Sequence, residues 1–264
     1  MASKNSDQGA ATEGTASSAI GKAFAVLRVL RHSAGSMTLT AIAEEIGVAP
    51  SSAHSILGHL LGEGAVVQVH DKRYQLGPQL FYLGSAFARN TPIYRSTWME
   101  LVNAAQELGV TASVAVPWNQ HHLVLNSYRG GPSNIAIPFG GRIPLDASSW
   151  GQVYYAWSGD DLPAELGSYT ERSKTDLGAF KEELEVTKRN GYATDEGEFY
   201  EGVGGVCAPV TSVSGFEGLA TFIAPLDRIK DIGLVNLGHK LALLTARASM
   251  ALGDSERIRF FGEE

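Results

Sequence analysis

TLTAIAEEIGVAPSSAHSILGHLLGEG, residues 38–64, reads as two short helices joined by a tight turn. Thr38 is a suitable N-cap, and Leu39, Ile42, Ala43 and Ile46 recur at helical spacing until Gly47 stops the run. Glu44 and Glu45 mark the outer side of this first helix. After Gly47-Val48-Ala49, Pro50 suits the first position of the next helix, where Ala53, Ile56, Leu57, Leu60 and Leu61 form one apolar stripe that ends at Gly64.

Outward from this pair, Ile20, Ala23, Phe24, Leu27 and Leu30 predict an earlier amphipathic helix closed by Gly35. Downstream, residues 65–69 and 73–76 flank the polar tip His70-Asp71-Lys72, which predicts a two-stranded hairpin. Three helices and a hairpin make a winged helix-turn-helix over 18–76, preceded by a polar tail at 1–17 that reads as disordered. Residues 77–92, with Leu80, Phe81, Leu83 and Phe87, predict a linker helix, and 93–264 form a second domain. In that domain, helices are expected around Trp98–Leu108, Ser149–Ser158, Leu177–Asn190 and Ile229–Leu252. Strands are expected at Ala112–Val116, Leu123–Ser127, Ile135–Phe139, Val206–Val213 and Gly218–Ile223, so the class is α+β around an antiparallel sheet.

At 264 residues the chain suits two domains, and its 44% hydrophobic content and mean hydropathy of -0.04 are those of an ordinary soluble protein. No apolar run approaches the roughly 20 residues of a membrane helix and no signal peptide is visible, so a cytoplasmic protein is expected. The single cysteine, Cys207, excludes an internal disulfide and a multi-cysteine metal site. The net charge is -7, but residues 1–90 carry seven Lys and Arg against six Asp and Glu, so the acidic excess lies in the second domain. Nucleic acid therefore belongs with the first domain, held only weakly by charge.

A helix-turn-helix sets its second helix in the major groove, with small or polar residues near the helix start reaching bases and phosphates. Ser51, Ser52, His54, Ser55 and His59 occupy those places, and Lys72 and Arg73 on the wing are candidates for the neighbouring backbone. The competing reading is a winged helix that contacts protein, attached to a ligand-binding or enzymatic domain.

The stretch Ala25–Gly84 resembles the IclR family of bacterial transcription regulators through residues 38–43, 47–54 and 74–78 and the pair Leu83-Gly84. The resemblance continues at residues 143–151 (IPLDASSWG), 190–198 (NGYATDEGE), Gly202-Val203 and residues 208–210. It implies a GAF-like or profilin-like second domain, assembly as a dimer of dimers, and a repressor, with an activator as the alternative, whose effector is a small organic acid; helix-turn-helix symmetry itself implies an operator bound by a dimer. By position, the resemblance places Ser149, Trp150, Asp195, Val203, Gly205, Cys207 and Thr221 at the effector pocket. The sequence departs from the family at four points: Pro50 and Ser55 stand where a Lys and an Arg are usual, Asp146 replaces a His, and Trp150 replaces a small residue.

Backbone N–H groups at the start of the helix after Ser148 suit a carboxylate, and Trp150, with Trp118, Tyr154 and Phe222 as possible neighbours, favours an aromatic acid. The alternative is that these aromatics are simply core. No nucleophile elbow, phosphate loop or zinc-protease motif occurs, so neither catalysis nor a cofactor is expected. Cys207 reads as a buried small hydrophobe, His121-His122 as a solvated turn rather than a metal site, and Asp195, Glu196 and Glu198 as a charged loop over the pocket.

Overall fold

The computed structural model describes residues 18–33, 35–131, 135 and 137–254, and the tail expected at 1–17 lies outside them. It divides into two units, Met1–Phe87 and Ala88–Glu264.

In the first unit, helix α1 (Ala19–His32) begins where the Ser18 hydroxyl accepts from the Gly21 N–H at 2.9 Å. Strand β1 (Met37–Thr38) leads directly into α2 (Leu39–Glu45), whose N-cap is the Thr38 hydroxyl. Gly47 makes the turn with φ of 68°, a conformation a side chain disfavours. Next come α3 (Pro50–Gly62), β2 (Val66–Val69), a 3-10 turn at His70–Lys72 and β3 (Arg73–Leu76). The antiparallel sheet has the order β1-β3-β2. Val26, Leu30, Ile42, Leu57, Val66 and Tyr74 form the buried core, which draws on all three helices and both hairpin strands. Helix α4 (Pro78–Asn90) follows and crosses the division between the units.

The second unit opens with α5 (Pro92–Leu108), β4 (Thr111–Trp118) and β5 (His121–Arg129). It continues with β6 (Arg142–Pro144), α6 (Ser148–Trp157), α7 (Leu177–Asn190) and β7 (Ala193–Glu196). Last are β8 (Val203–Ser212), β9 (Gly215–Pro225), α8 (Leu226–Ile232) and α9 (Leu234–Ala251). Six antiparallel strands run in the order β6-β5-β4-β9-β8-β7. One sheet face, with Val114, Val206, Ala208 and Phe222, packs on Leu101 and Ala105 of α5 and Leu237 and Leu241 of α9. The other, with Ala115, Val124, Cys207 and Leu219, packs on Trp150 and Val153 of α6.

The strand expected at Ile135–Phe139 is absent from its described residues, and the sheet edge is Arg142–Pro144 instead. Pro138 has no N–H to give a ladder, and its carbonyl closes a turn with Gly141 N at 2.8 Å. The single helix expected over Ile229–Leu252 is two helices, because Gly233 adopts φ 87° and ψ 129° and breaks the run.

Candidate functional site

Alternation along α3 separates its two faces. Ala53 and Leu57 are buried, whereas Ser51, Ser52, His54, Ser55 and His59 are exposed, so the five residues nominated for DNA all stand on the free surface. Ala49, the N-cap, supplies no side-chain acceptor. The first-turn N–H groups are thus left for an anion, which a helix N-terminus of this length favours. The His59 ring donates a 2.8 Å hydrogen bond through Nδ1 to the Ser55 carbonyl, which fixes the ring and leaves Nε2 as its acceptor. On the wing, Asp71 and Lys72 both take left-handed conformations, with φ of 59° and 54°. Arg73 donates through Nε to the Ser36 hydroxyl at 3.0 Å and through its guanidinium to the Ser36 carbonyl at 2.5 Å, so it braces the wing with part of its donor set.

In the second unit, strand register gathers the residues expected around an effector. Ala193, Cys207, Thr221 and Ser113 pair across β7, β8, β9 and β4, and Asp195, Gly205, Ile223 and Thr111 form the parallel row. Directly paired residues share a face. Cys207 packs with Trp150, so this is the face under α6, and Val203, at even spacing from Gly205, belongs to it too. Ser149 and Trp150 are buried in the first turn of α6.

Two supposed neighbours do not join them: Trp118 is 48% exposed beside the tip of the β4–β5 hairpin, and Phe222 belongs to the opposite face, under α5 and α9. Trp150 does meet Tyr154's surroundings through His122, whose ring stands edge-on to both at 5.6 and 5.5 Å.

The face is more polar than a sheet needs for packing. Ser113 and Thr221, both fully buried, share a 2.7 Å hydroxyl–hydroxyl hydrogen bond, and the Thr111 hydroxyl donates to the Ile135 carbonyl at 3.0 Å. Together with the buried Cys207 thiol, whose pKa burial pushes up, they make a floor of uncharged hydrogen-bonding groups. Gly205 belongs to this floor for a steric reason: a Cβ there would stand 2.2 Å from the Phe222 carbonyl oxygen.

The acidic loop is a satisfied network. Asp195 accepts from the N–H groups of Gly197 and Glu198 at 2.9 and 2.8 Å. Glu198 accepts from the Ser148 hydroxyl at 2.8 Å and pairs with Lys174 at 2.9 Å, and Lys174 also reaches Glu183 at 2.8 Å. Burial raises the pKa of both Asp195 and Glu198. Within the network, Asp146, Ser148, Tyr169, Lys174 and Glu198 surround a cavity of about 10 Å³, room for one water. Asp146 itself accepts from the Tyr169 hydroxyl and the Gly167 N–H, each at 2.5 Å, a fastening role for the residue that departs from the family's His.

Sequence reading missed His122. It is not in a solvated turn: it is the second residue of β5 and fully buried, and alternation with Val124 turns it inward. Burial holds its pKa down at about 3. A buried polar atom without a partner costs about 1–3 kcal/mol. Nδ1 of His122 is such an atom among the described residues. The unfolded chain binds a proton near pH 6.5 that the folded chain refuses, so stability is present above that pH and lost as the pH falls toward 3. The expected slope is about 1.4 kcal/mol per pH unit for this one group. Thermal melts of wild type and His122→Phe between pH 6.5 and 5 test it. The variant's profile should be flatter, and parallel profiles would remove His122 as the cause.

A helix-turn-helix whose second helix has an exposed polar face, joined to a separate sheet domain with a polar inner floor, defines a class: the helix-turn-helix transcription regulators. Two family models match in the same order, the IclR helix-turn-helix domain over residues 19–70 and the bacterial transcriptional regulator IclR C-terminal domain over 88–240. The chain belongs to the IclR family of bacterial transcription regulators.

It is 31% identical over 195 residues to the glycerol operon regulatory protein of Streptomyces griseus, covering 72% of this chain and 77% of that one. It is 24% identical over 239 residues to the transcriptional repressor IclR of Escherichia coli K12, covering 86% and 87%. A structure of an IclR homologue from Microbacterium hydrocarbonoxydans, complexed with 4-hydroxybenzoate, superposes with a TM-score of 0.75 at 19% identity, covering 90% of this chain and all of that one. Among the described residues no helix is long and apolar enough to cross a membrane, and no group of His, Cys, Asp and Glu is placed to hold a metal ion.

Proposed function

We propose that this protein is a cytoplasmic, non-enzymatic repressor. In this reading α3 and the wing hold operator DNA, and a small aromatic acid between α6 and the sheet changes that hold. The observation that carries the DNA half is the division of α3 into a buried Ala53–Leu57 side and an exposed side of Ser51, Ser52, His54, Ser55 and His59. Serines and histidines supply hydrogen bonds but not the bidentate guanine contact of an Arg, worth roughly 1–3 kcal/mol of discrimination. Sequence preference therefore leans on His54, His59 and DNA shape.

The effector half is supported by the buried hydroxyl and thiol floor of Thr111, Ser113, Thr221 and Cys207 under Trp150, and by the 4-hydroxybenzoate held by the Microbacterium homologue. Repression is supported by the E. coli relative. The working domains are a winged helix at 18–76, a linker helix at 77–92 and an effector-binding and oligomerisation domain at 93–264. A homo-oligomer is supported by the apolar side chains exposed on α1 and α4: Ile20, Phe24, Phe81, Tyr82 and Leu83.

A thermal-shift titration with 4-hydroxybenzoate and benzoate tests the effector reading. Saturable stabilisation by either acid is expected. If neither acid raises the melting temperature, the aromatic-acid reading fails.

A further inference from the structure

His122 Nδ1 is an unpartnered polar atom in a side chain that is fully buried on the α6 face of the sheet. Its surroundings are otherwise settled. Nε2 lies 3.4 Å from the Leu145 carbonyl oxygen, which can only accept, so Nε2 carries the ring proton and Nδ1 is a bare acceptor. Three polar side chains of its neighbourhood are engaged elsewhere: the Tyr154 hydroxyl donates to Asp160, Asp146 accepts from Tyr169 and Gly167, and the His121 ring bonds the Asn119 carbonyl. Ile143 stands opposite His122 in the sheet, and the rings of Trp150 and Tyr154 lie steeply inclined to its ring at 5.6 and 5.5 Å.

We propose that His122 is a specificity residue of the effector site, its Nδ1 accepting a hydrogen bond from a hydroxyl on an aromatic effector packed against Trp150. The inference rests on the effector reading above and names the chemical feature the site selects: a neutral donor, not a second carboxylate. A carboxylate would need a proton on Nδ1, and burial of the ring keeps that proton off. An aliphatic acid without a hydroxyl would leave the acceptor as it stands now, unmatched.

Calorimetric titration of the full-length protein with 4-hydroxybenzoate and benzoate tests this, using wild type and His122→Phe, which keeps a planar ring, with His122→Leu as a second variant should the first fold poorly. Wild type is expected to favour the hydroxy acid by about tenfold, the value of one good hydrogen bond. The variants should lose that preference, holding the two acids alike. A preference that survives in the variants, or is missing in wild type, overturns the role of His122 and leaves the effector reading standing. If wild type binds neither acid, the effector reading itself falls and the inference with it.

Discussion

Replacing Leu57 by alanine is expected to unfold the helix-turn-helix at physiological temperature. Leu57 is among the largest fully buried side chains, and its helix turns only Ala53 and Leu57 fully inward. Truncating such a leucine costs about 2–5 kcal/mol, transfer energy plus the cavity left behind. A unit this small buries too little surface to carry that loss, since whole-domain stabilities are only about 5–15 kcal/mol. The core cluster around Leu57 draws on α1, α2, α3, β2 and β3, so the loss in α3 reaches each of them. Ser52, one turn earlier on the exposed face, is the control: Ser52→Ala should shift stability by no more than about 0.5 kcal/mol. Two-transition thermal melts followed by circular dichroism distinguish the variants. A Leu57→Ala protein whose first unit melts like wild type would contradict the packing described for α3.

Trp150→Ala is expected to produce the other large effect, in the sheet domain. Trp150 is 6% exposed and packs with Val124, Ile143, Val153, Cys207 and Leu219 between α6 and the sheet. Its removal should cost about 3–5 kcal/mol. The hole it leaves is lined by aliphatic side chains and the floor of Cys207, so a flat apolar molecule can refill it, as engineered cavities take up benzene. Indole should therefore raise the melting temperature of the variant by more than that of wild type. Equal melting temperatures for variant and wild type would show that Trp150 is not the packing element between helix and sheet. Equal stabilisation of wild type and variant by indole would show that removing Trp150 opens no new space.

Most of the winged helix was legible because its signals are local. Thr38, Gly47, Pro50 and Gly64 punctuate the helices, and the apolar stripe of α3 has helical period, so caps, turns and buried faces follow from neighbours in sequence. The sheet domain was legible only in part, because strand pairing is long-range. The row Ala193–Cys207–Thr221–Ser113 joins residues far apart in the chain, and family resemblance named Cys207 and Thr221 while Ser113, lacking a motif, went unnamed. The alternation Thr111, Ser113, Ala115 carried the missing signal: small polar residues at the inward positions of a buried strand. His122 was misread because two adjacent histidines look polar, yet adjacency in a strand puts one on each face. Trp118 and Phe222 show the converse, since aromatic character alone cannot say which side of a sheet a residue occupies.

The exposed face of α3 is proposed to read DNA. Fluorescence anisotropy with duplexes drawn from the DNA flanking the protein's own gene, over a series of salt concentrations, tests it most directly. The prediction is a saturable complex on one segment that outcompetes scrambled DNA and whose log affinity falls linearly with log salt. Ser51→Ala/Ser52→Ala/His54→Ala should abolish the preference for that segment with the fold intact, because all three side chains are exposed. Binding that is absent, that does not distinguish the segment from scrambled DNA, or that survives the triple substitution unchanged would contradict the claim.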